Sequence, residues 1–245
     1  PETQTINLNT GTSVYFSSLK LSPYSSANTI DLFIGTQSGR LFKIEDVNGI
    51  LNTIDIGSED FPTANISSID LGQSEDEIFV TFSNYGISSV WMSTDAGSTW
   101  HEKESNLPDM PVRWGILHPE DSNFALVATE IGVWETTNLL EDNTVWIPSS
   151  SGLANVRVDM LSIRESDNMV LAATHGRGLF YGYFEAENIL NGDLNSDNNV
   201  NVLDVIILVN YILDSLNVEF NAGDINADGN INILDIVTLV NMILD

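Results

Sequence analysis

The chain has no cysteine among its 245 residues, so neither disulfides nor thiolate metal sites operate, and an oxidising compartment is permitted without being indicated. Basic residues are scarce. Eight Lys and Arg stand against 35 Asp and Glu, a formal charge of −27, which argues against nucleic acid or anionic membrane as a partner, because phosphate contact needs clustered Lys and Arg. Long apolar runs are missing too. The longest candidate, Val202 to Leu213, is interrupted by Asp204 and Asn210 and is too short to span a bilayer. No signal peptide is visible, and the chain begins at Pro1 rather than Met, from which we expect a processed or truncated product. The length allows two modest domains, each with its own core.

What the chain does have is a repeat near its end. Gly192-Asp193-Leu194-Asn195-Ser196-Asp197-Asn198-Asn199-Val200-Asn201-Val202-Leu203-Asp204 returns as Gly223-Asp224-Ile225-Asn226-Ala227-Asp228-Gly229-Asn230-Ile231-Asn232-Ile233-Leu234-Asp235. Oxygen side chains recur at loop positions 1, 3, 5, 9 and 12 of both copies. Such spacing wraps a hard cation: calcium takes six to eight oxygens, so a twelve-residue loop aims alternate side chains inward, supplies a backbone carbonyl at position 7 and closes with a carboxylate. The expected ligands are Asp193, Asn195, Asp197, Asn199 through its carbonyl, Asn201 and Asp204, and in the second copy Asp224, Asn226, Asp228, Asn230, Asn232 and Asp235. Asn198 stands at position 6, where the sharp turn favours Gly; Asn tolerates a left-handed backbone next best, so we expect a formed but weaker first site. From Gly192 onward there are nine carboxylates and no Lys or Arg, so this segment repels itself unless cations neutralise it.

Two calcium loops about 31 residues apart, each followed but not preceded by an apolar helical stretch, resemble the type I dockerin family, the docking modules of cellulosome-type assemblies. The resemblance covers Asn191 to Asp245. It implies two bound Ca²⁺, two antiparallel helices and a cohesin partner, faced by Val202, Leu203, Val209 and Asn210 in the first copy and by Ile233, Leu234, Val240 and Asn241 in the second. The helical stretches Val202 to Leu213 and Ile233 to Leu244 are apolar nearly all round, so each must be covered on more than one face.

Between Ser13 and Phe184 the pattern changes to short β-rich runs separated by Gly, Asn, Asp and Pro turns. Gly35-Thr36-Gln37-Ser38-Gly39-Arg40-Leu41-Phe42, Ala128-Thr129-Glu130-Ile131-Gly132-Val133-Trp134 and Ala173-Thr174-His175-Gly176-Arg177-Gly178-Leu179-Phe180 each read as strand, Gly turn, strand. With Val90-Trp91, the aliphatic-aromatic pairs begin at 41, 90, 133 and 179, a period near 45 that matches propeller blades of about four strands. Ser93-Thr94-Asp95-Ala96-Gly97-Ser98-Thr99-Trp100 resembles the Asp-box of sialidase-like and sortilin-like (BNR repeat) β-propellers. Its expected role is architectural: Asp95 bonds its own turn, Gly97 supplies a positive φ and Trp100 packs beneath the hairpin. From Trp134 to Trp146 the same hairpin is expected with an insertion, Leu139 to Asn143, that removes the box.

The expected fold is mostly β, with about four blades (13–57, 64–104, 112–150 and 156–184) over residues 1–186, followed by a small all-α calcium-binding dockerin-like domain over 187–245. The blades are the C-terminal part of a larger propeller or, less commonly, a closed ring of four.

No catalytic residue is assigned. Five arginines, Arg40, Arg113, Arg157, Arg164 and Arg177, show no spacing that marks a carboxylate-clamping triad, and Arg40 and Arg177 read as features of the repeat. Asp31, Asp70 and Asp159 are expected near or within first strands, with Asp159 the least explained. His175 reads as a turn residue, and His101 and His118 are isolated, so the histidines form no metal cluster. Two functions follow: a secreted or cell-surface binding protein, anchored through its calcium module to a cohesin-like or cell-surface protein, or a fragment of a glycoside hydrolase acting in polysaccharide degradation.

Overall fold

The structure is a computed structural model, and it describes residues 15–47, 49, 51–149, 152–153, 155–184, 192–195, 199–214, 223–226 and 230–244. The chain divides into two compact units, Pro1–Ala186 and Glu187–Asp245.

The first unit is a succession of antiparallel meanders. Strands β1 (Phe16–Leu21), β2 (Leu32–Thr36), β3 (Leu41–Glu45) and β4 (Asn52–Asp55) form the first sheet; β5 (Ile66–Leu71), β6 (Ile78–Phe82), β7 (Val90–Ser93) and β8 (His101–Glu102) form the second. The third holds β9 (Val112–Leu117), β10 (Ala125–Thr129), β11 (Gly132–Thr136) and β12 (Ile147–Pro148), and the last holds β13 (Val158–Arg164), β14 (Met169–Thr174) and β15 (Gly178–Tyr183). Every strand pairs with its sequence neighbour, so short turns set the register. Asp31 corrects one expectation: it precedes the second strand of its sheet rather than the first.

The apolar pattern explains how the sheets stack. All five residues of β6 are buried; Ile78, Val80 and Phe82 enter a core with Phe33, Leu41 and Trp91, whereas Phe79 enters the next core with Met92, Val127 and Trp146. The third sheet repeats this arrangement, with Ala125 and Val127 on one side and Leu126 and Ala128 on the other. A strand covered on both faces reads as a continuous apolar run rather than an alternating one. Gly115 permits the close approach of β9 to β6, since a Cβ there would lie 2.6 Å from Phe79.

The first strands of successive sheets run in one direction. Ser67 donates to the Val112 carbonyl at 2.6 Å, Gly115 N–H donates to Ser68 at 2.8 Å and Leu117 N–H to Asp70 at 2.9 Å, while Lys20 reaches Asp70 at 2.6 Å. Arg113 and Asp159, each second in its strand, extend the same sense to the last sheet. Corresponding turns of all four sheets therefore lie at the same end of the unit.

The last sheet packs Leu161, Val170, Ala172 and Phe180 against the third. Register places Met160, Leu171, Leu179, Tyr181 and Tyr183 on its other face, where Leu179 is 65%, Tyr181 72% and Tyr183 57% exposed.

The second unit holds helices α1 (Val202–Asp214) and α2 (Ile233–Leu244) around a core of Leu194, Leu208, Ile225 and Leu239. Each of these residues pairs with one 31 positions away in the repeat, Leu194 with Ile225 and Leu208 with Leu239. The duplication thus extends from the loops to the core. No helix among the described residues is long and apolar enough to cross a membrane.

Candidate functional site

The two loops end in the same hydrogen-bonded device. Asn201 precedes α1, and its Oδ1 accepts the Leu203 N–H at 2.8 Å while its own N–H donates to Asp204 Oδ2 at 2.8 Å. Asn232, Leu234 and Asp235 repeat the pair at 2.9 and 2.8 Å. This reciprocal cap satisfies orphan donors of the first helical turn. The other oxygen of each carboxylate turns back into the loop. Asp204 Oδ1 accepts the N–H groups of Leu194 (2.8 Å) and Asn195 (3.2 Å), and Asp235 Oδ1 accepts that of Asn226 at 3.2 Å. The closing residue therefore ties the start of the loop to the start of the helix. At position 7 the carbonyls of Asn199 and Asn230 accept the side-chain amides of Asn201 (3.2 Å) and Asn232 (3.1 Å).

Asp204 and Asp235 are wholly buried and Asp193 is 7% exposed. No Lys, Arg or His occurs between Gly192 and Asp245. Buried carboxylates are costly unless something neutralises them, and the oxygen-only donor set fits a hard cation. The position-5 residues Asp197 and Asp228, and Asn198 beside the first, lie outside the described residues. Among the described residues no three acidic or histidine side chains converge on one point.

Beyond the caps, both helices present apolar side chains outward. Val202 is 63% and Leu203 52% exposed, and their repeat counterparts Ile233 and Leu234 are 68% and 56% exposed. Ile206 and Leu213 correspond to Val237 and Leu244, also exposed. Val209 and Val240 are half-buried, and Asn210 and Asn241 are exposed. Positions 202, 206, 209 and 213 share one face of a helix, as do 233, 237, 240 and 244.

In the first unit the turns carry the motifs. Asp95 accepts the Ser93 hydroxyl at 2.9 Å and two bonds from Thr99, and Gly97 N–H donates to Ser93 at 2.9 Å. Gly97 has φ +86°. The Trp100 indole donates to the Ile56 carbonyl at 2.8 Å and meets Phe61 edge-on at 4.8 Å. The insertion in the third sheet keeps more of this device than its sequence suggests. Thr136 donates to Asn138 at 3.0 Å, Asn138 accepts the Val145 N–H at 2.9 Å, and the buried Trp146 indole donates to the Lys103 carbonyl at 2.8 Å. The missed signal was Thr136-x-Asn138, which stands in for Ser93-x-Asp95.

The recurrent Thr of the strand-turn-strand phrase also has a function. Thr36, Thr129 and Thr174 donate to the carbonyls of Arg40 (3.1 Å), Gly132 (2.8 Å) and Gly178 (2.7 Å), which latches each turn.

The histidines stay apart. His118 is 2% exposed, stacked edge-on to Phe184 at 5.0 Å and bonded to Asn168 and Glu120, a satisfied core residue. His101 lies exposed on β8. His175, however, approaches Asp159 at 3.4 Å, so the turn histidine meets the least explained carboxylate of the sequence. Asp159 also takes Arg157 at 2.6 Å and lies 4.0 Å from Arg113, which bonds Glu130. Burial opposes ionisation of Asp159, but the Arg157 and His175 contacts outweigh it and hold its carboxyl below the usual range.

Charge divides between the two kinds of turn. The turns that follow odd-numbered strands contain Asp31, Asp46, Glu75, Asp76, Glu77, Asp95, Glu120, Asp121, Glu141, Asp142, Glu165 and Asp167, twelve carboxylates with no Lys or Arg. Those that follow even-numbered strands contain Glu59, Asp60, Glu104, Asp109 and Glu130 against Arg40, Lys103, Arg157 and Arg177.

The family profile of the Dockerin type I domain matches residues 191–244. No curated protein is similar in sequence to the chain. Among solved structures, the β-propeller domain of Cps50 (Swd1) from Myceliophteria thermophila is similar at a TM-score of 0.51 and 14% identity, over 69% of this chain and 52% of that one. An ancestral GH74 enzyme is similar at 0.50 and 12% identity, over 71% of this chain and 27% of that one. The chain thus spans about half of one neighbour and about a quarter of the other. The fold is mostly β with propeller-like sheets, followed by two helices that match a dockerin domain.

Proposed function

We propose that the chain is a secreted binding and anchoring protein, in which a calcium-dependent dockerin-like unit attaches a propeller region to a cohesin-like or cell-surface protein. The match of residues 191–244 to the Dockerin type I domain carries this reading. Two Ca²⁺, one per loop, would be held by Asp193, Asn195, Asp197, Asn199, Asn201 and Asp204, and by Asp224, Asn226, Asp228, Asn230, Asn232 and Asp235. Bound calcium supplies positive charge to the buried carboxylates. The chain's own residues do the rest: the reciprocal caps fix where each helix starts, and so fix where Val202, Leu203, Val209, Asn210 and their counterparts Ile233, Leu234, Val240 and Asn241 stand.

Burying about 300 Å² of apolar helix surface represents roughly 7 kcal/mol gross, of which association entropy and polar desolvation consume much. The test is calorimetric titration of the full chain with a type I cohesin, with calcium and with a chelator. Binding lost on chelation supports the reading; binding indifferent to calcium, or no binding to any cohesin or cell-envelope fraction, sinks it.

We read residues 1–186 as the C-terminal part of a larger propeller. The exposed apolar face of the last sheet supports this, because a further sheet would cover it as β6 and β10 are covered. A second function, hydrolysis of a polysaccharide, draws on one observation: Glu130 and Asp159 flank the same guanidinium, Arg113. Release of reducing ends from xyloglucan by this chain alone would favour it over simple binding.

A further inference from the structure

Arg40 and Arg177 hold the same place in the strand-turn-strand repeat and use their guanidinium groups differently. Arg40 is engaged: its Nη2 bonds Asp55 at 2.7 Å and its plane lies 4.6 Å over the Phe42 ring. Arg177 is exposed and makes no hydrogen bond or ion pair among the described residues. Its turn is set by two residues of positive φ, Gly176 at +86° and Gly178 at +82°, with the Thr174 latch across it. His175 stands beside it in that turn, its side chain 68% exposed.

Arg157 faces this turn from the adjoining segment. Its Nε is bonded to Asp159 Oδ1 at 2.6 Å, and its terminal amino groups have no partner among the described residues. Behind it Arg113 is held by Glu130 and lies 4.0 Å from Asp159. Arg113 and Arg157 therefore meet at Asp159, where the third and last sheets adjoin, and Arg177 stands two residues beyond the His175 that also reaches Asp159. They do so among turns where bases nearly balance acids, whereas the turns that follow odd-numbered strands hold twelve carboxylates and no Lys or Arg of their own.

A guanidinium fixed through Nε presents its outer edge as parallel N–H donors, the geometry that matches a carboxylate. Because Asp159 already holds Arg157 in place, less side-chain freedom is lost when a ligand arrives. Ile131, 44% exposed in the turn that holds Glu130, adds apolar surface beside the charges, as the C–H face of a sugar ring requires.

We propose that Arg157 and Arg177, with His175 between them, bind the carboxylate of a uronic-acid-bearing saccharide, and that Asp159 positions Arg157 for it. The proposal deepens the reading of the sheet unit as the ligand-presenting part of an anchored protein.

Calorimetric titration of the full chain with glucuronyl-xylobiose, and with its methyl ester, tests it. The acid should bind and the ester should bind at least tenfold more weakly. Arg157→Met with Arg177→Met should weaken the acid at least tenfold while leaving the thermal transition in place, and Arg157→Lys should not restore it, since a single ammonium lacks the fork. Arg164→Met, at the other end of β13 and bonded to Asp167 at 2.6 Å, should bind as the parent does. Equal affinity for acid and ester, an unaffected double variant, tighter binding of a triglutamate peptide, or no binding at millimolar saccharide overturns the proposal. Calcium-dependent cohesin binding measured on the same samples does not depend on these residues, so the two readings fail separately.

Discussion

The carboxylate of Asp95 accepts both the backbone N–H and the hydroxyl of Thr99, each at 2.7 Å. The backbone bond from Thr99 is the largest of the causes that hold this carboxyl below its ordinary range. The folded state therefore favours the ionised form. Its contribution to stability is present above the unfolded carboxyl pKa and disappears as pH falls through the folded one. Asp95→Ala should destabilise the sheet unit by about 1–2 kcal/mol near neutral pH and by less in acid, which denaturant midpoints at the two conditions would measure. A midpoint loss independent of pH would remove the ionic part of this account.

Trp100 and Trp146 occupy equivalent places ahead of the outer strand of their sheets, and burial separates them. Trp146 is 1% exposed and Trp100 half-buried. Trp146→Ala should cost about 3–5 kcal/mol, the range for a large core aromatic, and Trp100→Ala about 2–3 kcal/mol. The ranking, read from chemical denaturation of the two variants, is the sharper test.

Glu104 shows the opposite sign to Asp95. Burial raises its carboxyl, against the bond from the Ser89 N–H that lowers it. Here the folded state binds the proton more tightly, so stability declines as pH rises from the unfolded carboxyl pKa through the folded one. Glu104→Gln keeps an acceptor for Ser89 and removes the buried charge. Its melting temperature should exceed that of the parent near neutral pH and converge with it in acid; a lower value throughout would show that the charge itself is needed.

In the helical unit, Asp204→Ala and Asp235→Ala each remove a cap worth about 1 kcal/mol together with a proposed calcium ligand. Each variant should lose one of two calcium-binding events in a titration and retain the other. Far-ultraviolet circular dichroism should show helix lost on chelation in the parent. Two intact binding events in either variant would reassign the ligands.

Replacing Val202 and Leu203 by Asp, together with Ile233 and Leu234, should abolish cohesin binding and leave calcium binding unchanged, because these side chains are more than half exposed and lie outside the loop core. Loss of calcium binding in that variant would mean that the positions support the fold rather than the partner.

The four-sheet order and the two helices were legible because they rest on short-range signals: aliphatic-aromatic pairs, Gly turns and a loop duplicated with its oxygen positions kept. The α1 start at Val202 coincides with the start of the apolar stretch that follows the first loop. The Thr136-x-Asn138 turn was missed because Asn replaces Asp and the hairpin is longer, which hides an unchanged bonding plan. The meeting of Arg113, Arg157, Asp159 and His175 was not legible at all. It joins the start of β9, the approach to β13 and the turn before β15, and sequence spacing gives no distance between those points.

The sorting of charge between the two kinds of turn makes the electric potential of the sheet unit uneven over its surface. A polyanion drifting toward it is repelled more strongly by the carboxylate-bearing turns than by the others, so encounters become orientation-selective before any contact forms. Added salt screens that field within about 10 Å at 0.1 M, so the association rate of an acidic ligand should depend on ionic strength even where its final contacts do not change.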